Sequence, residues 1–486
     1  MADNSIQSKM SNSLKWSSLA EIAAKLIVPI TNLILARLLT PEAFGVVASA
    51  TMVISIADLF SDSGFQKFII QHDFSDESHL FQSANIAFSS NLTISIILWA
   101  IIAFFSEGIA SLVGSPGLGI VIIVAAASLP VTSFSSIQSG LFKRAFNFKV
   151  LFYSRIIAAC VPLVVTVPFA LLGFSYWSMI IGTIVNNVVV ATILTLKSKW
   201  RPHLFFNLNG FKEMFSFSIW SLAESVGTWL TSYIGTFIVG GILSQYYLGL
   251  YKTTMTTVNG IFAIVTTATT SVLFASLSRL QNDKEEYDKT YTNFIKLVSI
   301  IIIPLGFGIF IFKDFVTRIL LGSQWGETIP FVGIYGLMSC FTLVYGQFAS
   351  EYYRGLGKPQ ASVITTFLHL VALIPALIYG ANLGFLHLSY ARSLIKIEQI
   401  LAYWCVLWIG FHFNPLIILK ETIKPIISAL IMSVVGFILL GMCNSIWLQI
   451  VAIMACIITY FVSYVYICRG KNDVSALIKM FSGRSK

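Results

Sequence analysis

Charged residues make up only 11% of the 486-residue chain, against 56% hydrophobic residues and a mean hydropathy of +0.83. A soluble domain carries roughly 25% charge, because its surface must be solvated; a water-exposed globule of this size is excluded. Cysteine is sparse as well. Cys160, Cys340, Cys405, Cys443, Cys456 and Cys468 fall in or beside apolar runs with no C-x-x-C pair. They read as small buried hydrophobes, not as a disulfide or zinc framework. Of the six histidines, 72, 79, 203 and 412 lie in or near polar loops, and His369 and His387 stand isolated. H-E-x-x-H, a nucleophile elbow and metal-ligand spacings are all missing. No enzyme, metal or resident cofactor is expected.

Basic residues outnumber acidic ones, 31 to 21. No basic soluble stretch is interleaved with stacking aromatics, which argues against nucleic acid as a partner. In a membrane protein such an excess gathers in cytoplasmic loops and contacts anionic lipid heads. The segment 1–15 is polar and lacks a small-residue cleavage site after the first apolar run, so that run is expected to stay as a membrane helix.

A spanning helix needs about 20 predominantly apolar residues. Fourteen runs qualify: 14–37, 44–64, 81–104, 118–139, 151–172, 174–195, 213–239, 246–272, 291–312, 326–350, 360–380, 383–405, 423–442 and 446–468. The loops between them are too short for an extramembrane catalytic domain, which also argues against a multispan polymerase or ligase with a large outer loop. With the N-terminus inside, only Arg37, Lys313 and Arg318 fall in outer loops. Lys25, Lys252, Lys296, Arg392 and Lys396 fall within spans, and the remaining basic residues lie on the cytoplasmic side. That asymmetry predicts an even number of spans with both termini cytoplasmic.

Short motifs recur along the chain. Ser18-Leu19-Ala20-Glu21, preceded by Trp16, returns as Ser221-Leu222-Ala223-Glu224, preceded by Trp220. Leu39-Thr40 with Phe44-Gly45 matches Leu243-Ser244 with Leu248-Gly249, and Leu172-Gly173-Phe174 matches Leu383-Gly384-Phe385. Lys143 aligns with Arg354. Matches in order at a nearly constant offset imply two six-helix halves of the same orientation, related by a pseudo-twofold axis normal to the membrane. The expected fold is thus an all-α membrane protein of about fourteen transmembrane helices. Its parts are an N-terminal lobe (1–195), a basic cytoplasmic linker (196–212), a C-terminal lobe (213–405), two extra helices (406–468) and a basic tail (469–486). The linker and tail are expected to lie along the cytoplasmic surface as amphipathic stretches.

The segment Ala36-Arg37-Leu38-Leu39-Thr40-Pro41-Glu42-Ala43-Phe44-Gly45 resembles the signature of bacterial polysaccharide exporters, the O-antigen, capsule and colanic-acid type flippases of the multidrug/oligosaccharidyl-lipid/polysaccharide superfamily. Ser61-Asp62-Ser63-Gly64-Phe65, Leu248-Gly249-Leu250-Tyr251 and Tyr353-Arg354-Gly355-Leu356-Gly357-Lys358-Pro359 fit the same pattern. The resemblance runs from about residue 13 to 468. It implies a cavity lined by helices 1, 2, 7 and 8, and alternating access that carries an undecaprenyl-pyrophosphate-linked oligosaccharide from the cytoplasmic to the periplasmic leaflet of the inner membrane. A drug/cation antiporter or a lipid II flippase of the same superfamily is the alternative. Implied partners are the lipid-linked oligosaccharide, membrane lipids, and polysaccharide polymerase and chain-length proteins.

Charges inside spans are costly and usually face a cavity or a partner. Glu21 and Lys25 share a face of the first span, and Asp58 and Asp62 share a face of the second, each pair being four residues apart. These four are candidates for lining the cavity, or for bridging the two helices with Lys25 paired to an aspartate. Glu224 is the repeat counterpart of Glu21. The two carboxylates are the candidates for coupling H⁺ or Na⁺, with hydrogen bonding to neighbouring hydroxyls as the structural alternative. Lys252 is a candidate phosphate or sugar contact, and Arg37 either such a contact or an interfacial anchor. Arg392 and Lys396 share a face of the twelfth span, and a local salt bridge to Glu398 is poor geometry, because a spacing of two does not share a face. Trp229, Tyr233 and Tyr251 are candidates for stacking on sugar rings. Gly355-Leu356-Gly357-Lys358 lacks the spacing of a phosphate loop and reads as a cytoplasmic turn.

Overall fold

Thr40 and Pro41 mark the first sharp boundary in the chain. Proline has no N–H to lose at the first position of a helix and its φ is already helical, and Glu42 in the first turn complements the helix dipole. A computed structural model of the protein accordingly ends helix α1 (Ile27–Leu38) just before this pair and begins α2 (Pro41–Asp62) at Pro41. The structure describes residues 27–62, 64–442 and 445–482.

After α2 come α3 (Phe65–Gln71), α4 (Glu77–Phe104), α5 (Ser106–Leu112), α6 (Gly119–Arg144), α7 (Phe148–Leu171), α8 (Tyr176–Lys197) and α9 (Leu208–Ile242). Then follow α10 (Gln245–Ser278), α11 (Lys284–Ile311), α12 (Lys313–Leu320), α13 (Ser323–Gly355), α14 (Gln360–Asn382), α15 (Phe385–Phe411), α16 (Leu416–Leu440), α17 (Ile446–Ile467) and α18 (Lys471–Ser482). Every regular element among the described residues is helical, as backbone within lipid requires. Twelve helices there are long and apolar enough to cross a membrane, and each coincides with an expected span. Of the other two expected spans, the first begins outside the described residues. The seventh falls within the 35-residue helix α9.

Two compact units divide the chain, Met1–Lys252 and Thr253–Lys486. In the first, α2, α4 and α6 enclose a core of Met52, Val53, Ala57, Ile102, Ile122 and Leu129. A second core beside it gathers Phe65, Phe68, Phe88, Ile137 and Trp200. Trp200 brings the 198–206 segment back onto α4: its indole N–H donates to Asn85 Oδ1 at 2.9 Å, and the Phe205 N–H donates to Ser89 Oγ at 2.8 Å. At the start of α10, Gly249 approaches the Pro41 carbonyl while Gly45 approaches that of Gln245. The repeat-related glycines thus pack reciprocally.

In the second unit α11 and α13 are the most buried spans. They cross closely because Gly306 faces Cys340, and Gly336 faces Ile309. Small residues at such a crossing let helices approach where the hydrophobic effect cannot drive them together. One end of this unit is filled by Tyr287, Tyr291, Tyr352 and Tyr353, all fully buried. Three of the four hydroxyls are used: Tyr287 donates to the Tyr352 carbonyl at 2.6 Å, Tyr352 to Asp288 at 2.6 Å, and Tyr353 to the Tyr403 carbonyl at 3.1 Å, while that of Tyr291 has no hydrogen-bond partner among the described residues. By contrast, Val363, Phe367 and Val371 form an exposed stripe along α14, and Val434, Phe437 and Ile438 one along α16. Apolar stripes of this kind suit acyl chains.

The internal repeat is written in the backbone as well. Gly114 and Gly322 both take positive φ, at 74° and 107°, and so do Gly173 and Gly384, at 85° and 102°. Phe146 and Gly357 form a third such pair. Leu112-Val113-Gly114-Ser115 and Leu320-Leu321-Gly322-Ser323 add a further sequence match, with an offset between those of the motifs before and after it.

Candidate functional site: two polar cavities within the spans

The first unit holds a cavity of about 410 Å³ among α2, α6 and neighbouring segments. Asp58 and Asp62 line it together, as their four-residue spacing requires. Each carboxylate is met by a hydroxyl from α6. Thr132 donates to Asp58 Oδ1 at 2.8 Å and Ser136 to Asp62 Oδ1 at 2.6 Å. Asn91 on α4, which also lines the space, accepts from Ser133 at 3.0 Å and from Ser95 at 3.2 Å. Gln66 adds a further polar group, donating to the Ser136 carbonyl at 2.9 Å and accepting from Lys143 Nζ at 2.9 Å. The aspartates therefore sit in a shell of hydroxyl and amide groups, with Lys67 also on the cavity lining. Such a shell holds negative charge inside the bilayer and presents oxygen ligands to a cation.

A second cluster in this unit lies on α9 and α10. Trp229 stacks on Tyr233 with ring centroids 5.4 Å apart and 23° between planes. Lys252 Nζ lies 4.8 Å from the Tyr233 ring centroid, a cation–π distance, and the Trp229 N–H donates to Ser55 Oγ on α2 at 2.8 Å. The third aromatic expected to stack on sugar does not qualify. Tyr251 is only 2% exposed, packed inside the unit, and offers no ring face.

The second unit holds a larger cavity, about 580 Å³, bounded by α10, α13 and α15. Arg392 and Lys396 both line it. Lys396 Nζ lies 4.5 Å and the Arg392 guanidinium carbon 5.7 Å from the ring centroid of Tyr335, whose hydroxyl donates to Asn259 Oδ1 at 3.4 Å. Glu398 does not join them: its carboxylate meets His369 on α14 at 2.9 Å. His369, isolated in sequence, is thus a paired residue, because α14 and α15 pack side by side.

Of the remaining residues singled out in sequence, Arg37 is exposed at the end of α1. Glu21 and Lys25 lie outside the described residues, and so does the side chain of Glu224. Lys296 on α11 bridges Glu421 at 3.5 Å and Asp473 at 3.0 Å, fastening α18 to the second unit.

Comparison with known proteins places this architecture. The model for the polysaccharide biosynthesis protein family matches residues 34–330. The chain belongs to that family. It is similar to the succinoglycan biosynthesis transport protein ExoT of Rhizobium meliloti, with 24% identity over 86% of this chain and 84% of the relative. It is also similar to the lipopolysaccharide biosynthesis protein WzxC of Escherichia coli, with 22% identity over 84% and 86%. Among solved structures, the lipid II flippase MurJ in an inward-closed conformation shares the fold, with a TM-score of 0.75 at 16% identity over 94% of this chain and 99% of that one. These relatives agree with a multi-pass membrane transport protein and not an enzyme.

Proposed function

We propose that this family member is a flippase for surface-polysaccharide biosynthesis, moving an undecaprenyl-pyrophosphate-linked oligosaccharide from the cytoplasmic to the periplasmic leaflet of a bacterial inner membrane by alternating access. The observation that carries the reading is a pair of polar cavities built into apolar spans of a polysaccharide-biosynthesis protein. Placing a charge at mid-bilayer costs about 2.5–3.5 kcal/mol on insertion scales. A chain that merely anchored a soluble assembly gains nothing from Arg392 and Lys396 deep in a span, or from Asp58 and Asp62 lining a cavity toward the end of α2. A hydrated, anionic head group needs such groups along its path. Both termini are assigned to the cytoplasm from the distribution of Lys and Arg. Lys252 over Tyr233, beside Trp229, combines a cation with aromatic faces and suits a phosphorylated sugar. Glu21 and Glu224 are the proposed H⁺ or Na⁺ couplers. Polysaccharide polymerase and chain-length proteins are the proposed downstream partners.

The acidic cavity around Asp58 and Asp62 favours one second reading, a drug/cation antiporter. Deleting the gene separates the two. The flippase reading expects loss of surface polysaccharide and accumulation of its lipid-linked precursor, with drug tolerance unchanged. Normal precursor levels with sensitivity to cationic drugs would replace it with the antiporter.

A further inference from the structure

We infer that the cavity of the first unit is a saccharide-binding site that selects uncharged sugars over sugars bearing a carboxylate. The inference rests on the flippase reading for the source of the sugar, and names the part of the cargo that this unit distinguishes. The cavity encloses about 410 Å³, inside the range of about 300–1,000 Å³ usual for a small-molecule pocket. Its lining mixes hydrogen-bonding roles. Asp58 and Asp62 accept, Lys67 donates, Asn91 can do both, and so can hydroxyls such as that of Ser139. Sugar hydroxyls also donate and accept, so each needs partners of both kinds.

The two carboxylates are held apart. Asp58 is tied to Thr132 at 2.8 Å and Asp62 to Ser136 at 2.6 Å, and four residues of helix separate these rungs by about 6 Å. A carboxylate can accept about four hydrogen bonds, so a hydroxyl from α6 does not exhaust either aspartate. A single metal ion gathers its oxygen ligands to about 2.0–2.6 Å, whereas hydroxyls on two edges of a pyranose ring meet separated carboxylates without drawing them together. Among the described residues no group of three or more His, Cys, Asp or Glu side chains could hold a metal ion.

Asn91 points to a ligand independently. It is 1% exposed and borders the cavity. Its Oδ1 accepts from Ser133 and Ser95, while its amide N–H groups meet no acceptor among the described residues. A buried amide left so is costly, and a sugar oxygen would satisfy it. Ser55 extends the site to an aromatic surface. It lines the cavity and accepts the N–H of Trp229, which stacks on Tyr233. Such rings offer apolar area to the C–H face of a sugar. Charge sets the selectivity. Two carboxylates against the one ammonium of Lys67 leave the lining acidic, and juxtaposed like charges reject the wrong ligand. With both termini assigned to the cytoplasm, the aspartates near the end of α2 stand where a newly assembled saccharide enters.

The purified full-length protein, in a detergent whose head group is not a sugar, is titrated with methyl glycosides of glucose, galactose, mannose, N-acetylglucosamine and N-acetylgalactosamine. Methyl glucuronide and methyl galacturonide are the acidic counterparts, and glycerol is the control polyol. Thermal unfolding reports binding. We expect saturable stabilisation by at least one uncharged glycoside, weaker binding of both uronides and no saturable effect of glycerol. In Asp62→Asn the affinity for the uncharged sugar should fall about tenfold, in line with a lost hydrogen bond to a charged group. The preference over the uronides should shrink at the same time, because a repelling charge is gone. A purely structural Asp62 would weaken both classes alike. Asp58→Asn carries the same comparison if Asp62→Asn does not fold. Gene deletion reads transport and this titration reads binding, so the two fail separately. No response to any uncharged glycoside overturns the inference, and saturable stabilisation by Na⁺ over choline in its place makes the cavity a cation site. Equal affinity for sugars and uronides, or an unchanged preference in the folded variants, overturns it as well.

Discussion

Gly306 and Gly308 stand two residues apart on the same buried helix and are predicted to respond to alanine with opposite signs. A Cβ added at Gly306 would lie 2.4 Å from both Cβ and Sγ of Cys340, whereas one added at Gly308 meets nothing within 4 Å. Carbon atoms rest in contact at about 3.5–4.0 Å, so α11 and α13 would have to separate by more than an ångström at Gly306. Overpacking of this kind costs about 1–3 kcal/mol. Replacing a mid-helix glycine with alanine gains about 1 kcal/mol in helix propensity where there is room. Gly308→Ala should therefore be neutral to stabilising, while Gly306→Ala should lose up to about 2 kcal/mol after that gain is offset. Removing the opposing side chain should recover part of the loss, so Gly306→Ala with Cys340→Gly is expected to be more stable than the sum of the single changes. Thermal unfolding of the purified protein in detergent, followed by tryptophan fluorescence, measures all four. Equal shifts of the same sign at 306 and 308 would refute the close crossing of α11 and α13.

Other side chains make separate predictions. Asp62→Asn keeps the shape of the carboxylate that accepts from Ser136 but removes its charge; export of surface polysaccharide should fall severalfold while protein abundance in the membrane, measured by immunoblot, stays normal. Tyr345 and Thr422 share a buried hydrogen bond of 2.7 Å, so Tyr345→Phe should cost about 1 kcal/mol in the same unfolding assay with export retained. Lys296→Met removes the cation between Glu421 and Asp473. The α18 segment should then be cut faster by protease in inverted membrane vesicles, and cutting at the wild-type rate would show that the bridge does not hold it.

Much of the fold is legible in sequence because lipid imposes it. Twenty apolar residues in a row have few other uses, and the boundaries at Pro41, Gly173 and Gly384 coincide with turns that the backbone makes. Asp58 and Asp62 are legible as a pair because one helix alone brings them together. The hydroxyls that receive them come from α6, more than seventy residues later, at positions where serine and threonine are too common in spans to draw notice. Arg392 and Lys396 show the same limit more sharply. Their shared face follows from spacing, but the ring they lean over belongs to α13, and a sequence does not state which spans adjoin. His369 looks isolated for the same reason: its partner is on the next helix. Tyr251 fails in the other direction. An aromatic near a candidate lysine invites a binding role, and only packing reveals that its ring is enclosed.

The central claim is transbilayer movement of a lipid-linked saccharide, and reconstitution tests it most directly. Purified protein would be placed in liposomes whose inner leaflet carries a fluorescent undecaprenyl-pyrophosphate oligosaccharide, with a membrane-impermeant quencher outside. The account predicts time-dependent quenching that requires the protein and slows severalfold in Asp62→Asn. Fluorescence that stays protected in protein-containing liposomes, under an imposed H⁺ or Na⁺ gradient as well as without one, would contradict it.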